Sequence, residues 1–139
     1  MPFKKIFKMN RLILLTTLFI TTLLSAQTKQ KFLLSGDNNL SEIVNAEKLK
    51  VTIAGDAKFI GTGEAKNIIV RIVGDGVCDL SQIKADTANI RIIGDGVVII
   101  NTNKLIAKIV GDGTIRTIGK PFVTKNFVIG DGRVVAFKL

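Results

Sequence analysis

Residues Ile90-Arg-Ile-Ile-Gly-Asp-Gly-Val-Val98 carry the pattern from which the fold follows. An aliphatic residue stands two and four positions before Gly94, and Val98 stands four positions after it. Alternation of this kind places every second side chain on one face of an extended strand. Between the two strands, Gly-Asp-Gly forms a corner, because glycine accepts backbone angles that other residues avoid. The same unit recurs along the chain. Gly-Asp begins at Gly36, Gly55, Gly74, Gly94, Gly111 and Gly130, at intervals of 19, 19, 20, 17 and 19 residues. A second glycine follows in the last four copies (Gly76, Gly96, Gly113, Gly132), whereas Asn38 and Ala57 hold that place in the first two. Six of the eight Asp residues sit in this motif, so the corner dominates their use.

The flanking positions repeat with the corner. Two residues before it stand Leu34, Ile53, Ile72, Ile92, Ile109 and Val128. Four before it stand Phe32, Val51, Val70, Ile90 and Ala107, with Asn126 as the exception. Four after it stand Leu40, Phe59, Cys78, Val98, Ile115 and Val134. A third short segment passes near Ala46, Ala65 and Ala85. A hairpin array would make successive corners alternate in direction and chemistry, and here every corner is the same. The expected fold is all-β: a parallel β-helix of about six coils, each resting on the next at about 4.8 Å. No coil could bury its apolar face alone, so the aliphatic columns form the core.

Composition agrees. The 139 residues contain no His, Trp or Tyr and one Cys. Without His the commonest general base is missing. Cys78 has no partner for an internal disulfide and falls in a core column, which makes it a packing residue rather than a nucleophile. Lys4, Lys5, Lys8 and Arg11 precede an apolar or Thr run from Leu12 to Leu24, and Ser25-Ala26 follows. This layout predicts a secretory signal peptide over residues 1–26, with the repeat domain over 27–139. The run is shorter than the roughly 20 residues of a membrane-spanning helix. No Cys lies near the cleavage point to accept lipid, so a secreted, periplasmic or outer-surface location is expected.

The formal charge is +9 for the whole chain, and residues 27–139 carry 16 Lys and Arg against 11 Asp and Glu. These cations are scattered along the sequence and few aromatics accompany them, so nucleic acid is not an expected partner.

The segment Leu105-Ile-Ala-Lys-Ile-Val-Gly-Asp-Gly-Thr-Ile-Arg-Thr-Ile-Gly-Lys-Pro121, followed by Val128-Ile-Gly-Asp-Gly132, resembles the auto-transporter adhesin head GIN domain family. The likeness lies in the repeated Ile-x-Gly-x-Gly corners, the Gly-Lys-Pro step and the export signal, over about residues 36–139. It implies a right-handed β-helix at or beyond the cell surface, in an adhesin-like role with a cell-surface or polysaccharide ligand. Two departures stand out. The family usually has Ser between the two glycines where this chain has Asp, and this chain looks shorter at its N-terminal end.

Two readings compete for the corner Asp. As a turn group, Asp accepts the backbone amide two residues on. As a ladder of carboxylates, Asp75, Asp95, Asp112 and Asp131 offer oxygens to Ca²⁺. Unit charges about 5 Å apart repel by about 1 kcal/mol even in water, so such a column needs solvent, counterions or basic neighbours. Arg71, Arg91 and Lys108, three residues before successive corners, are candidates to offset that charge or to form a stripe for an anionic ligand. A glycosidase-like cluster of Asp75, Asp79 and Asp95 lacks the unlike environments that acid/base catalysis requires. The expectation is a non-enzymatic binding or structural module without a cofactor. A self-associating scaffold joined through solenoid ends or faces is the alternative, and a polysaccharide-active enzyme the more distant one.

Overall fold

The structure is a computed structural model that describes residues 28–137. The signal peptide expected over residues 1–26 lies outside the described residues. Eight strands follow one another: β1 (Lys29–Ser35), β2 (Asn39–Ala54), β3 (Lys58–Val73), β4 (Val77–Ile93), β5 (Val97–Val110), β6 (Thr114–Ile118), β7 (Phe122–Ile129) and β8 (Arg133–Phe137). All pairing is parallel, in the order β1-β2-β3-β4-β5-β6-β8, with β7 also on β5. The result is a β-solenoid of about six turns, as the repeat predicts.

The short strand expected after each corner is continuous with the one expected before the next corner, giving strands of 16, 16, 17 and 14 residues in β2 to β5 that break at the corners themselves. A strand that bends without breaking keeps its ladder to the coils above and below, so its buried backbone groups stay paired. The register runs column by column: Phe32, Val51, Val70, Ile90, Ala107 and Asn126 align, as do Leu34, Ile53, Ile72, Ile92, Ile109 and Val128. Their inner members are buried, including Val51, Ile53, Ile72, Ile90, Ile92 and Ile109 at 0% exposure. Ala46, Ala65 and Ala85 line the third side of the core. Near the first coil, Phe32 lies against Phe59 with ring centroids 5.0 Å apart.

Unequal intervals are absorbed away from the corners. Pairing of β4 with β5 jumps between Leu80 and Lys84, so Ser81, Gln82 and Ile83 form a bulge while the corners stay aligned. Ile83 is nonetheless fully buried. Gly119-Lys120-Pro121 splits the final coil into β6 and β7, as expected where proline cannot donate to the ladder. The Thr117 hydroxyl, buried beneath this step, donates to the Gly119 carbonyl at 3.3 Å.

The two glycines of each corner answer to different constraints. Gly94 has φ +115°, and a Cβ there would lie 2.7 Å from the Gly74 carbonyl oxygen of the preceding coil. The second glycine is set by the side chain on which it rests. A Cβ on Gly76, Gly96, Gly113 or Gly132 would meet the Cγ2 methyl of Ile53, Ile72, Ile92 or Ile109 at 2.5–2.7 Å. Below Ala57 the equivalent residue is Leu34, which has no Cγ2 methyl. What looks in the sequence like a divergent second corner is thus a matched pair: Ala over Leu, where the later coils place Gly over Ile.

Gly96→Ala is therefore expected to destabilise the protein by about 1–3 kcal/mol through overpacking. Ile72→Leu removes the opposing methyl and should recover part of that loss in the double variant. Thermal or urea unfolding of the four proteins checks this, and strictly additive effects would contradict the Gly-over-Ile explanation.

Candidate functional site

The corner column and the sheet face beside it hold the candidate residues. Each inner corner is tied to both neighbours by backbone hydrogen bonds. Gly94 N–H donates to the Val110 carbonyl at 2.9 Å, and Val97 N–H donates to the Gly76 carbonyl at 3.0 Å. With the backbone satisfied between coils, the Asp side chain is left free to face solvent. Asp37, Asp56, Asp75, Asp95, Asp112 and Asp131 are all exposed. The carboxylate contact seen at a corner runs between coils: Asp131 N–H donates to Asp112 Oδ1 at 3.2 Å. Asp79 is the residue that accepts an amide two positions on, from Ser81 N–H at 3.0 Å, and it lies on the strand after the corner. Among the described residues, no group of three or more His, Cys, Asp or Glu is placed to hold a metal ion.

Asp75, Asp79 and Asp95 do not converge on a cleft. Asp75 and Asp95 occupy exposed corners, and Asp79 is half-buried in an outward column beside Ile60 and Ile99. Cys78 is fully buried, and burial pushes its thiol pKa well above the ordinary range, with the Asp79 charge adding to the effect. Such a thiol is a poor nucleophile.

The basic residues are arranged in a way their spacing along the chain conceals. Cations some 19 residues apart look scattered in the sequence, and the stacking gathers them. One outward column carries Arg71, Arg91 and Lys108 on consecutive coils, followed by Phe127. The next carries Lys31, Lys50, Ile69, Asn89, Ile106 and Lys125. A third adds Lys29, Lys48 and Lys104. These three columns hold nine of the protein's cations and, among the described residues, no Asp or Glu. The premise that the cations are dispersed is corrected by the fold: a repeat makes distant residues neighbours.

Nor do these cations offset the Asp column through ion pairs. Among the described residues the salt bridge within 4.0 Å is Lys66–Glu47, at 3.9 Å, one residue beyond the third basic column and away from the corner Asp residues. The face is left with like charges stacked at coil spacing, which is unfavourable without a counter-charge. Arg91, at the centre of its column, is half-buried, and its Nε is fully enclosed without a hydrogen-bond partner. A buried donor left unpaired costs about 1–3 kcal/mol. Lys108 Nζ is held over the Phe127 ring, 5.1 Å from its centroid, a cation–π arrangement. The sequence by itself points to Arg71, Arg91 and Lys108. It leaves out Lys125, Asn89 and Phe127, because Phe127 aligns with Lys108 only once the 19-residue register is laid down and Lys125 only across a bulge in β7.

Comparison with known proteins returns a family model described as "Putative auto-transporter adhesin, head GIN domain", matched by residues 17–121. The match starts further toward the N-terminus than the corners alone suggest and stops before the last Gly-Asp-Gly. Neither the curated proteins nor the solved structures yield a match.

The exposed corner carboxylates should tolerate substitution. Asp75→Ser, Asp95→Ser and Asp112→Ser, singly or together, are expected to leave the melting temperature nearly unchanged, since the corner is held by backbone bonds. Chelator and millimolar Ca²⁺ should have no effect on the parent. A Ca²⁺-dependent rise of several degrees in the parent, absent from the triple variant, would make the column a cation site through linkage.

Proposed function

The chain belongs to the auto-transporter adhesin head GIN domain family, and from that premise we propose that it is an exported, non-enzymatic binding module of the cell envelope. The observation that carries this reading is the basic sheet face, with nine cations and no acidic residue in three adjacent columns. A single-sign field over a regular face favours association with an anionic partner rather than chemistry on one. The lack of His, the exposure of the corner Asp residues and the burial of Cys78 all support a binding role over catalysis. The ligand is a cell-surface component, with polysaccharide the favoured kind. Residues 1–26 serve as the export signal and residues 27–139 as the working domain. Among the described residues no helix is long and apolar enough to cross a membrane.

Self-association is favoured by a separate observation. The last coil exposes Phe122 at 70%, Ile129 at 54% and Phe137 at 48%, and the first exposes Leu33 at 73%. Strands at the two ends of a solenoid also present unpaired backbone. Copies stacked end to end would pair that backbone, and copies joined through their faces would cover these outward apolar residues.

Binding to a glycan array or to isolated envelope fractions, lost at high salt, is the expected result for a binding module. A protein that ignores every glycan and envelope fraction, yet elutes from size exclusion as concentration-dependent oligomers, would be a scaffold instead. Protein recovered after export should begin at Gln27, as N-terminal sequencing or intact mass would show.

A further inference from the structure

Within the basic face, a cavity of about 420 Å³ opens between the columns of Arg71 and Ile69. Its polar lining consists of Arg71, Asn89, Arg91, Lys108 and Lys125, and Phe127 closes one end. We propose that this cavity is the ligand subsite of the module, and that it takes the carboxylate or sulfate group of an acidic polysaccharide running along the solenoid axis. The proposal rests on the binding-module reading and specifies its ligand.

Three features point to an oxyanion. Four cations converge on one cavity that no Asp or Glu lines. Arg91 lines the cavity and makes no salt bridge among the described residues, and its Nε is enclosed and unpaired, which leaves the Nη end of the guanidinium to meet a ligand. The two oxygens of a carboxylate, or two of a sulfate, accept from the two Nη groups through parallel bonds. Lys108 Nζ, held over Phe127 at 5.1 Å, is positioned at the wall rather than swinging in solvent. Arginine therefore supplies the directional contact, and the lysines supply charge.

The surroundings select among polyanions. Arg71, Arg91 and Lys108 follow one another on successive coils, at about 4.8 Å per coil. A linear chain lying along the axis meets one cation at each step. The half-buried Ile69 and Ile106 form apolar ground between the charges, suited to the C–H faces of sugar rings. Single-stranded nucleic acid would call for successive aromatic platforms. The cavity has one aromatic ring, already engaged by Lys108. An anionic bilayer attracts basic residues in any arrangement, and needs neither a row of cations nor a concave site.

The test measures binding of the purified full chain to polygalacturonate, to its fully methyl-esterified form, to vesicles of mixed phosphatidylglycerol and phosphatidylcholine, and to single-stranded DNA. Arg91→Ala, Arg91→Lys and Lys108→Ala probe the cavity. Lys58→Ala combined with Arg133→Ala removes charge from the strands after the corner, away from the cavity, and circular dichroism confirms that each variant is folded. Polygalacturonate should bind and the ester should not. Arg91→Ala should weaken binding by at least about tenfold, as expected for truncating one side of a charge-paired contact. Arg91→Lys should also weaken it, because charge is kept and the fork is lost. The control should stay within about twofold. Should Arg91→Ala fail to fold, Arg91→Lys and Lys108→Ala decide the matter. Equal losses in control and cavity variants would overturn the subsite, and so would tighter binding of vesicles or DNA. Equal binding of the ester, unaffected by the cavity variants, would overturn the oxyanion and leave the binding module standing. Failure to bind polygalacturonate in either form would overturn the subsite, and failure on the glycan array and envelope fractions as well would remove the binding module.

Discussion

The in-register stacking of each coil on the next, through parallel backbone hydrogen bonds, is the constraint on which the rest of this molecule depends. A residue in such a rod has its own equivalent above and below it, about 4.8 Å away. Whatever a position does, it does repeatedly. Apolar positions become continuous columns that fill the core, as with Ile53, Ile72, Ile92 and Ile109. Corner positions become a backbone ladder in which Gly94 donates forward to Val110 and Val97 donates back to Gly76. Outward positions become rows as well, one of which carries Arg71, Arg91 and Lys108 on successive coils.

Close stacking also explains why the corner uses glycine twice. The first glycine turns the chain while its α-carbon approaches the carbonyl of the glycine on the coil before it. The second rests on a β-branched side chain whose methyl occupies the space a Cβ would need. The pairing of Ala57 with Leu34 shows the rule from its exception. Where the side chain beneath lacks that methyl, alanine is accommodated. Each corner is therefore matched to the preceding coil, and the aliphatic residue two positions before one corner influences the composition of the next.

The same geometry turns a modest excess of positive charge into a surface. An ordinary domain spreads its lysines over all sides, and counter-charges dilute them. Here the repeat places Arg71, Arg91 and Lys108 in one file and sets Lys125 and Phe127 at its end. The corner Asp residues run as a separate exposed column, with no salt bridge to that file among the described residues. Two unlike charged stripes thus run along the rod, and the basic one borders a cavity lined by Arg91, whose Nε is enclosed and unpaired.

By itself the sequence determined the coil. The Gly-Asp spacing, the alternation on either side of it and the aligned aliphatics specify parallel stacking and name the core, because a period-2 pattern interrupted at a constant interval has few other ways to bury its apolar face. It also placed Cys78 inside, from its alignment with Phe59 and Val98. What only the tertiary structure decided is which distant residues become neighbours on the outside. Cations roughly 19 residues apart look dispersed to any local reading. Irregular intervals of 20 and 17 residues blur the outward register further, until the bulge at Ser81–Ile83 is known to absorb them. The role of the corner Asp was open for a related reason. A turn residue and a free carboxylate have the same sequence signature. Hydrogen bonding between coils, which no single repeat contains, determines how much of the corner the backbone secures without it.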